Sequence, residues 1–217
     1  MKHLVVLFVV AGSLLAYSQT STSLTGQIKG RVIDRDGSPV SGATVYAVPQ
    51  GLAFDDIAPR SVKTGENGTF YFRGGFQFEA YRLYSRKEEE SYPDARDAFY
   101  ADPKADAPKV EITADHPSAT VTLKLGEKAG VIAGRVIDAE TGAVMNAGLY
   151  FYDGEGHGHR VNSSDVDGTY RALLPPGKEV KVMVMDLSSH TVDARLPVAP
   201  LRVEPGQYVY MDIQVSR

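Results

Sequence analysis

Apolar and polar residues alternate one by one along much of this chain. Ile28, Gly30 and Val32 fall on one side of an extended segment and Lys29 and Arg31 on the other. The same arrangement returns as Ile132, Gly134 and Val136 against Ala133, Arg135 and Ile137. A period of two marks a strand with one buried face. By the same rule Phe70 and Phe72, then Tyr170, Ala172 and Leu174, point inward. So do Val121, Leu123 and Leu125, and later Val209, Met211, Ile213 and Val215. No long stretch carries apolar residues at helical spacing. The pattern predicts an all-β protein.

Turn residues separate the runs, in keeping with 21 glycines and 12 prolines. Asp34-Arg35-Asp36-Gly37 turns the chain after the first strand, and Asn67-Gly68 and Asp167-Gly168 read as two-residue hairpin turns with positive φ at glycine. The pentapeptide GRVID occurs at Gly30 and again at Gly134, and the likeness extends well beyond it. Residues 28–47 match 132–152 with one extra residue in the second turn, which sets Tyr46 and Phe151 at the same repeat position. Residues 64–72 match 164–172. One structural unit is therefore expected twice. The boundaries predicted are 24–127 and 129–217, with a polar connection from Gly126 to Gly130. Each copy has roughly the 100 residues at which one core suffices, so each is expected to fold alone.

The run GRVIDRDGSPVSGATVYA, followed by TGENGTFYFRG and YRL, resembles the carboxypeptidase regulatory-like domain, a transthyretin-like (prealbumin-like, Ig-like) seven-stranded β-sandwich. GRVIDAETGAVMNAGLYF with DVDGTYRALLPPG resembles it equally, Pro175-Pro176-Gly177 standing at the family's usual turn. Arg73-Gly74-Gly75 departs from that turn in the first copy, and Val180 replaces the tyrosine found at Tyr81. The resemblance implies two tandem sandwiches and a non-catalytic accessory role. Its motifs consist of turn glycines and core positions, which specify fold rather than chemistry.

An export signal is read at the start. Lys2 precedes the apolar run Leu4–Ala16, and cleavage is expected between Ser18 and Gln19, so that residues 1–18 form a signal peptide. The run is shorter than the ~20 residues of a membrane span, so no transmembrane anchor is expected. With no cysteine in the chain, a lipoprotein anchor and disulfides are both excluded. The expected location is periplasmic or extracellular. A net charge of −4 gives no overall electrostatic footprint for nucleic acid.

Catalytic signatures are missing. None of His3, His116, His157, His159 or His190 is followed by Glu at the third place, as the zinc carboxypeptidases would require. The C-terminal Ile213–Arg217 lacks the Tyr-Arg-Gly-Ser end that hydroxyisourate hydrolases carry on the transthyretin fold. No Gly-x-Ser-x-Gly occurs. The expectation is thus a non-catalytic binding or adaptor module contacting an envelope protein or glycan, with no cofactor. The alternatives are a structural spacer, or a hydrolase with an unrecognised carboxylate or metal site.

Three features go beyond what the fold needs: an acidic insertion at 85–108, the carboxylates Asp55 and Asp56, and the glycine-rich loop YDGEGHGHR at 152–160. In that loop His157 and His159 are the candidate ligands for a divalent transition metal. Strand parity sharpens this. With seven antiparallel-connected strands, each copy begins at one pole and ends at the other. The insertion after the fifth strand and the His157–His159 loop after the next copy's second strand should then meet at the junction. Glu88, Glu89, Asp94, Asp97 or Asp102 would face the two imidazoles there.

Overall fold

The computed structural model describes residues 25–51, 59–94, 99–100, 107–164, 166–187 and 200–216. The expected signal segment with Ser18 and Gln19, Asp55 and Asp56, Asp97, Asp102 and His190 lie outside these. The described chain is all β apart from one 3₁₀ turn at Glu88–Glu90. No helix among the described residues is long and apolar enough to cross a membrane.

Seven strands make the first half: β1 (Gln27–Ile33), β2 (Thr44–Pro49), β3 (Arg60–Lys63), β4 (Thr69–Arg73), β5 (Ala80–Arg86), β6 (Lys109–Glu111) and β7 (Ser118–Lys124). They form two sheets, β4-β1-β7 and β3-β2-β5-β6, around a core that includes Ile28, Val32, Val45, Phe72, Leu83 and Leu123. The second half comprises β8 (Gly130–Asp138), β9 (Ala147–Tyr152), β10 (Gly158–Asn162), β11 (Thr169–Leu174), β12 (Lys181–Asp186), β13 (Tyr208–Tyr210) and β14 (Ile213–Val215). Here β11-β8-β13 and β10-β9-β12 are the sheets, and β14 pairs with β8 beyond β13. Together β13 and β14 trace the course that β7 takes in the first half. The counterpart of β6 is a single antiparallel bridge, Leu201 with Val180 just before β12, matching Val110 with Tyr81 in the first half. Ile132, Val136, Leu149, Phe151 and Leu174 lie in the second core.

All the inward positions expected on the first strands are buried or half-buried, and the repeated Gly has a steric cause. A Cβ on Gly30 would collide with the carbonyl oxygen of Val121 on β7, and one on Gly134 with that of Met211 after β13. In both halves the terminal strand runs parallel to the initial one: β1 with β7, and β8 with β13 and β14. That is the pairing an odd number of alternating strands predicts.

Two expectations need correction. Asn67-Gly68 does not close a hairpin, because β3 and β4 belong to different sheets; the same holds for Asp167-Gly168 between β10 and β11. In these two turns the positive φ falls on the glycine, 69° at both Gly68 and Gly168. These turns carry the chain from one sheet to the other, and each glycine brings its carbonyl onto β1 or β8: Val32 N–H donates to Gly68 at 2.8 Å and Val136 N–H to Gly168 at 2.9 Å. The second correction concerns Tyr46 and Phe151. The extra residue in the second turn is removed again before β9, where Met145 takes the place of Val40: each donates its N–H back to the preceding strand, to Val136 and Val32 respectively. Ala147 then matches Ala43, since their N–H groups are held by Ser163 Oγ and Thr64 Oγ1. Phe151 therefore stands where Ala47 does, in the core, whereas Tyr46 matches Tyr150 on the outer face. The Arg86 guanidinium covers Tyr46, 5.3 Å above its ring.

The connection between the halves is also more engaged than its polar composition suggests. Glu127 pairs with Arg35, Lys128 lies 5.1 Å over the Tyr92 ring, and buried Ala129 donates to the Ser91 carbonyl at 2.7 Å.

Candidate functional site

The loop between β9 and β10 is built by one side chain. Asp153 Oδ1 accepts the N–H groups of Glu155 at 2.9 Å and His157 at 3.0 Å, which closes the loop over the carboxylate. Its other oxygen lies 3.4 Å from both His157 Nδ1 and Lys178 Nζ. Burial pushes the Asp153 carboxyl up, but those backbone and side-chain donors outweigh it and hold it below the usual aspartate range. Ligand atoms of Asp153, Glu155 and His157 lie within 4.8 Å of one another. A divalent cation here would have to share Asp153 with the Lys178 ammonium.

His159 has a different environment. It sits in β10 opposite Phe151 in register, and its ring stacks on Phe99, centroids 6.4 Å apart at 11°. The Tyr100 ring is 5.7 Å away on a tilted approach. The insertion of the first half and the histidine loop of the second thus meet, as parity predicts, but through aromatic rings. Of the carboxylates named for this junction, Glu88 and Asp94 both approach Arg86 instead, at 2.8 and 3.6 Å. His157 instead faces Asp153 and Glu155 of its own loop.

Phe99 and Tyr100 were not singled out from the sequence. Phe99 is 0% exposed and belongs to the core of the second half. Tyr100 donates its hydroxyl to the Leu173 carbonyl at 2.6 Å and packs against Ala129, Val131 and Leu173. Consequently β8 is buried on both faces along its first residues, where alternation predicted one. The available signal was an aromatic doublet inside an otherwise polar, acidic run. Arg171 adds a bond from its guanidinium to the Glu88 carbonyl, at 3.2 Å.

On the same sheet, the outer face of β13 carries two tyrosines. Tyr208 and Tyr210 are 62% and 63% exposed, while Val209 between them packs toward the core. Across β8 they share rows with Leu173 and Arg171. Their outward direction follows from the inward assignment of Val209 and Met211. No nucleophile and base are arranged for catalysis among these groups.

No family model matches the chain, and a search of curated proteins gives no match. Solved structures give likenesses of low identity. The Bacillus anthracis TIE protein is 16% identical over 89% of this chain and 34% of its own, at a TM-score of 0.35. A streptococcal ancillary pilin is 17% identical over 88% of this chain and 62% of its own, at 0.35. The shaft pilin SpaA of Lactobacillus rhamnosus GG is 11% identical over 88% of this chain and 97% of its own, at 0.36. The chain therefore spans about a third of the first of these proteins and under two thirds of the second. TM-scores of this size carry no inference about function.

Proposed function

We propose that this protein is an exported, non-catalytic binding module of the cell envelope, built as two tandem copies of a carboxypeptidase regulatory-like sandwich, and that its second half binds a glycan. The observation that carries the reading is the pair Tyr208 and Tyr210, both about two thirds exposed on one strand face. Strand geometry sets the two rings about 6.7 Å apart along β13. Each offers an apolar face to the C–H side of a sugar ring and a hydroxyl to its oxygens. Arg171 stands in the row of Tyr210, two strands away on β11. Contiguous exposed aromatic surface on a rigid sheet is characteristic of binding sites rather than of ordinary solvated strands.

The non-catalytic reading is supported by the use of the acid and base groups. Asp153 closes its own loop, and His159 packs against the Phe99 and Tyr100 rings. The test is a glycan array probed with the full chain and with Tyr208→Ala/Tyr210→Ala. Retention of a glycan by the former and loss in the latter, with unchanged unfolding midpoints, is the expected result. Equal binding by both would remove these tyrosines from the function.

A further inference from the structure

The first half presents a second surface, independent of the tyrosine pair. Ile28 and Val32 are buried, so Gln27, Lys29, Arg31 and Ile33 turn outward from the β4-β1-β7 sheet. Register then orders the outer face in rows. Gln27 faces Arg73 and Ser118, Lys29 faces Tyr71 and Thr120, Arg31 faces Thr69 and Thr122, and Ile33 faces Lys124. Residues paired across strands present their side chains to the same face. Arg73, Lys29, Arg31 and Lys124 therefore form a diagonal line of cations crossing three strands. Strand rise and spacing put successive members roughly 7–8 Å apart. Among the described residues paired in these rows there is no carboxylate.

Some other cations of the chain are compensated locally. Arg35, Arg86, Lys87, Lys109, Arg135 and Lys178 each have an acidic partner. Lys29, Arg31 and Lys124 form no ion pair among the described residues, and Arg73 lies 4.7 Å over the Tyr71 ring rather than against an acid. A chain of net charge −4 has thus left a row of positive charges uncompensated on one sheet. A shallow groove of about 650 Å³ is lined by the two central members, Lys29 and Arg31, with Lys63, Thr69, Thr120 and Thr122.

We infer that this face binds a linear anionic polysaccharide. A line of charges at regular spacing complements a polymer with a repeating carboxylate or sulfate, and the threonine hydroxyls between them match sugar hydroxyls as donors and acceptors. A single-stranded nucleic acid would also need aromatic faces on which to stack its bases. Tyr71 is the aromatic residue on this face, and it is occupied by Arg73 above and by a hydrogen bond from its hydroxyl to Gln27.

The experiment measures binding of the full chain to polygalacturonate, with neutral dextran and an oligo-dT strand as comparators. Polygalacturonate binds and dextran does not. Affinity falls by about tenfold or more between about 50 and about 200 mM salt, as expected when several cations engage a polyanion. The variant Lys29→Ser/Arg31→Ser/Lys124→Ser loses at least about tenfold in affinity with an unchanged unfolding midpoint, because all three side chains are exposed. Tyr208→Ala/Tyr210→Ala leaves this binding intact, which separates it from the glycan site of the second half. Absence of polygalacturonate binding at low salt, indifference to salt in the unmodified chain, an unaffected triple variant, or tighter binding of oligo-dT would each overturn the inference.

Discussion

The ring of Phe99 lies parallel to that of His159, their planes 11° apart, although one belongs to the insertion after β5 and the other to β10 of the second half. Phe99 is also a core residue of that second half. The two halves therefore share a core element across the expected boundary, and the second copy is incomplete without a residue from the first.

Phe99→Ala should accordingly destabilise the second half by about 3–5 kcal/mol, the usual cost of emptying a buried aromatic site. The fragment 129–217 should unfold at lower denaturant than the same residues in the full chain. Equal midpoints for fragment and full chain would show that Phe99 contributes nothing to that core.

Gly68 and Gly168 should be the least replaceable of the turn glycines. A Cβ on Gly68 would lie 2.6 Å from the Val32 oxygen, and one on Gly168 2.8 Å from the Val136 oxygen, both at φ 69°. Alanine at either position should cost about 1–3 kcal/mol. Gly37 has φ 86° but nothing within 4 Å of the added carbon, so Gly37→Ala should cost only the conformational part, about 1 kcal/mol. Urea midpoints of the three variants decide the order.

Thr64 and Ser163 hold corresponding places under the second strand. Thr64 Oγ1 accepts the Ala43 N–H and donates to the Val40 carbonyl, and Ser163 Oγ does the same for Ala147 and Met145. Thr64→Val and Ser163→Ala should each lose about 1–3 kcal/mol by orphaning buried backbone groups. Thr64→Ser should lose much less, and a scan of chemical denaturation distinguishes the pair.

Acid should weaken the β9–β10 loop. The Asp153 carboxyl is held low by its donors despite burial. A depressed carboxylate gives stability that is present above the unfolded value of about 3.9 and drains away as pH falls through the lower folded value. The difference in unfolding midpoint between the natural chain and Asp153→Asn should then be larger at about pH 6 than at about pH 3. A difference independent of pH would contradict the role given to Asp153.

Much of this architecture is legible in the sequence because period-two alternation depends only on which side of a strand meets the core. Ile28, Val32, Phe70 and Phe72 obey it, and parity alone brought the insertion to the histidine loop. What alternation cannot encode is the partner of a surface. Val131 sits on the polar-expected side of β8, yet it is buried because Tyr100 covers it. Nor does a glycine turn name the sheet on each side of it, so Asn67-Gly68 reads locally as a hairpin while tertiary pairing sends β3 and β4 apart. His157 and His159 are next but one in sequence, yet their surroundings differ. The strand start at Gly158 separates them, one toward Asp153 and the other toward Phe99.

The parallel pairing of first and last strands has a mechanical meaning. Tension applied at the two ends of the first half pulls β1 and β7 in opposite directions along their common axis, so their hydrogen bonds are loaded in shear and resist together rather than opening one at a time. Seven consecutive residue pairs share that load between Gln27–Ser118 and Ile33–Lys124. In the second half the corresponding seam is broken at Met211 and Asp212 into two stretches of three pairs. A stretched molecule should therefore yield in its second half first, while the first half still bears force.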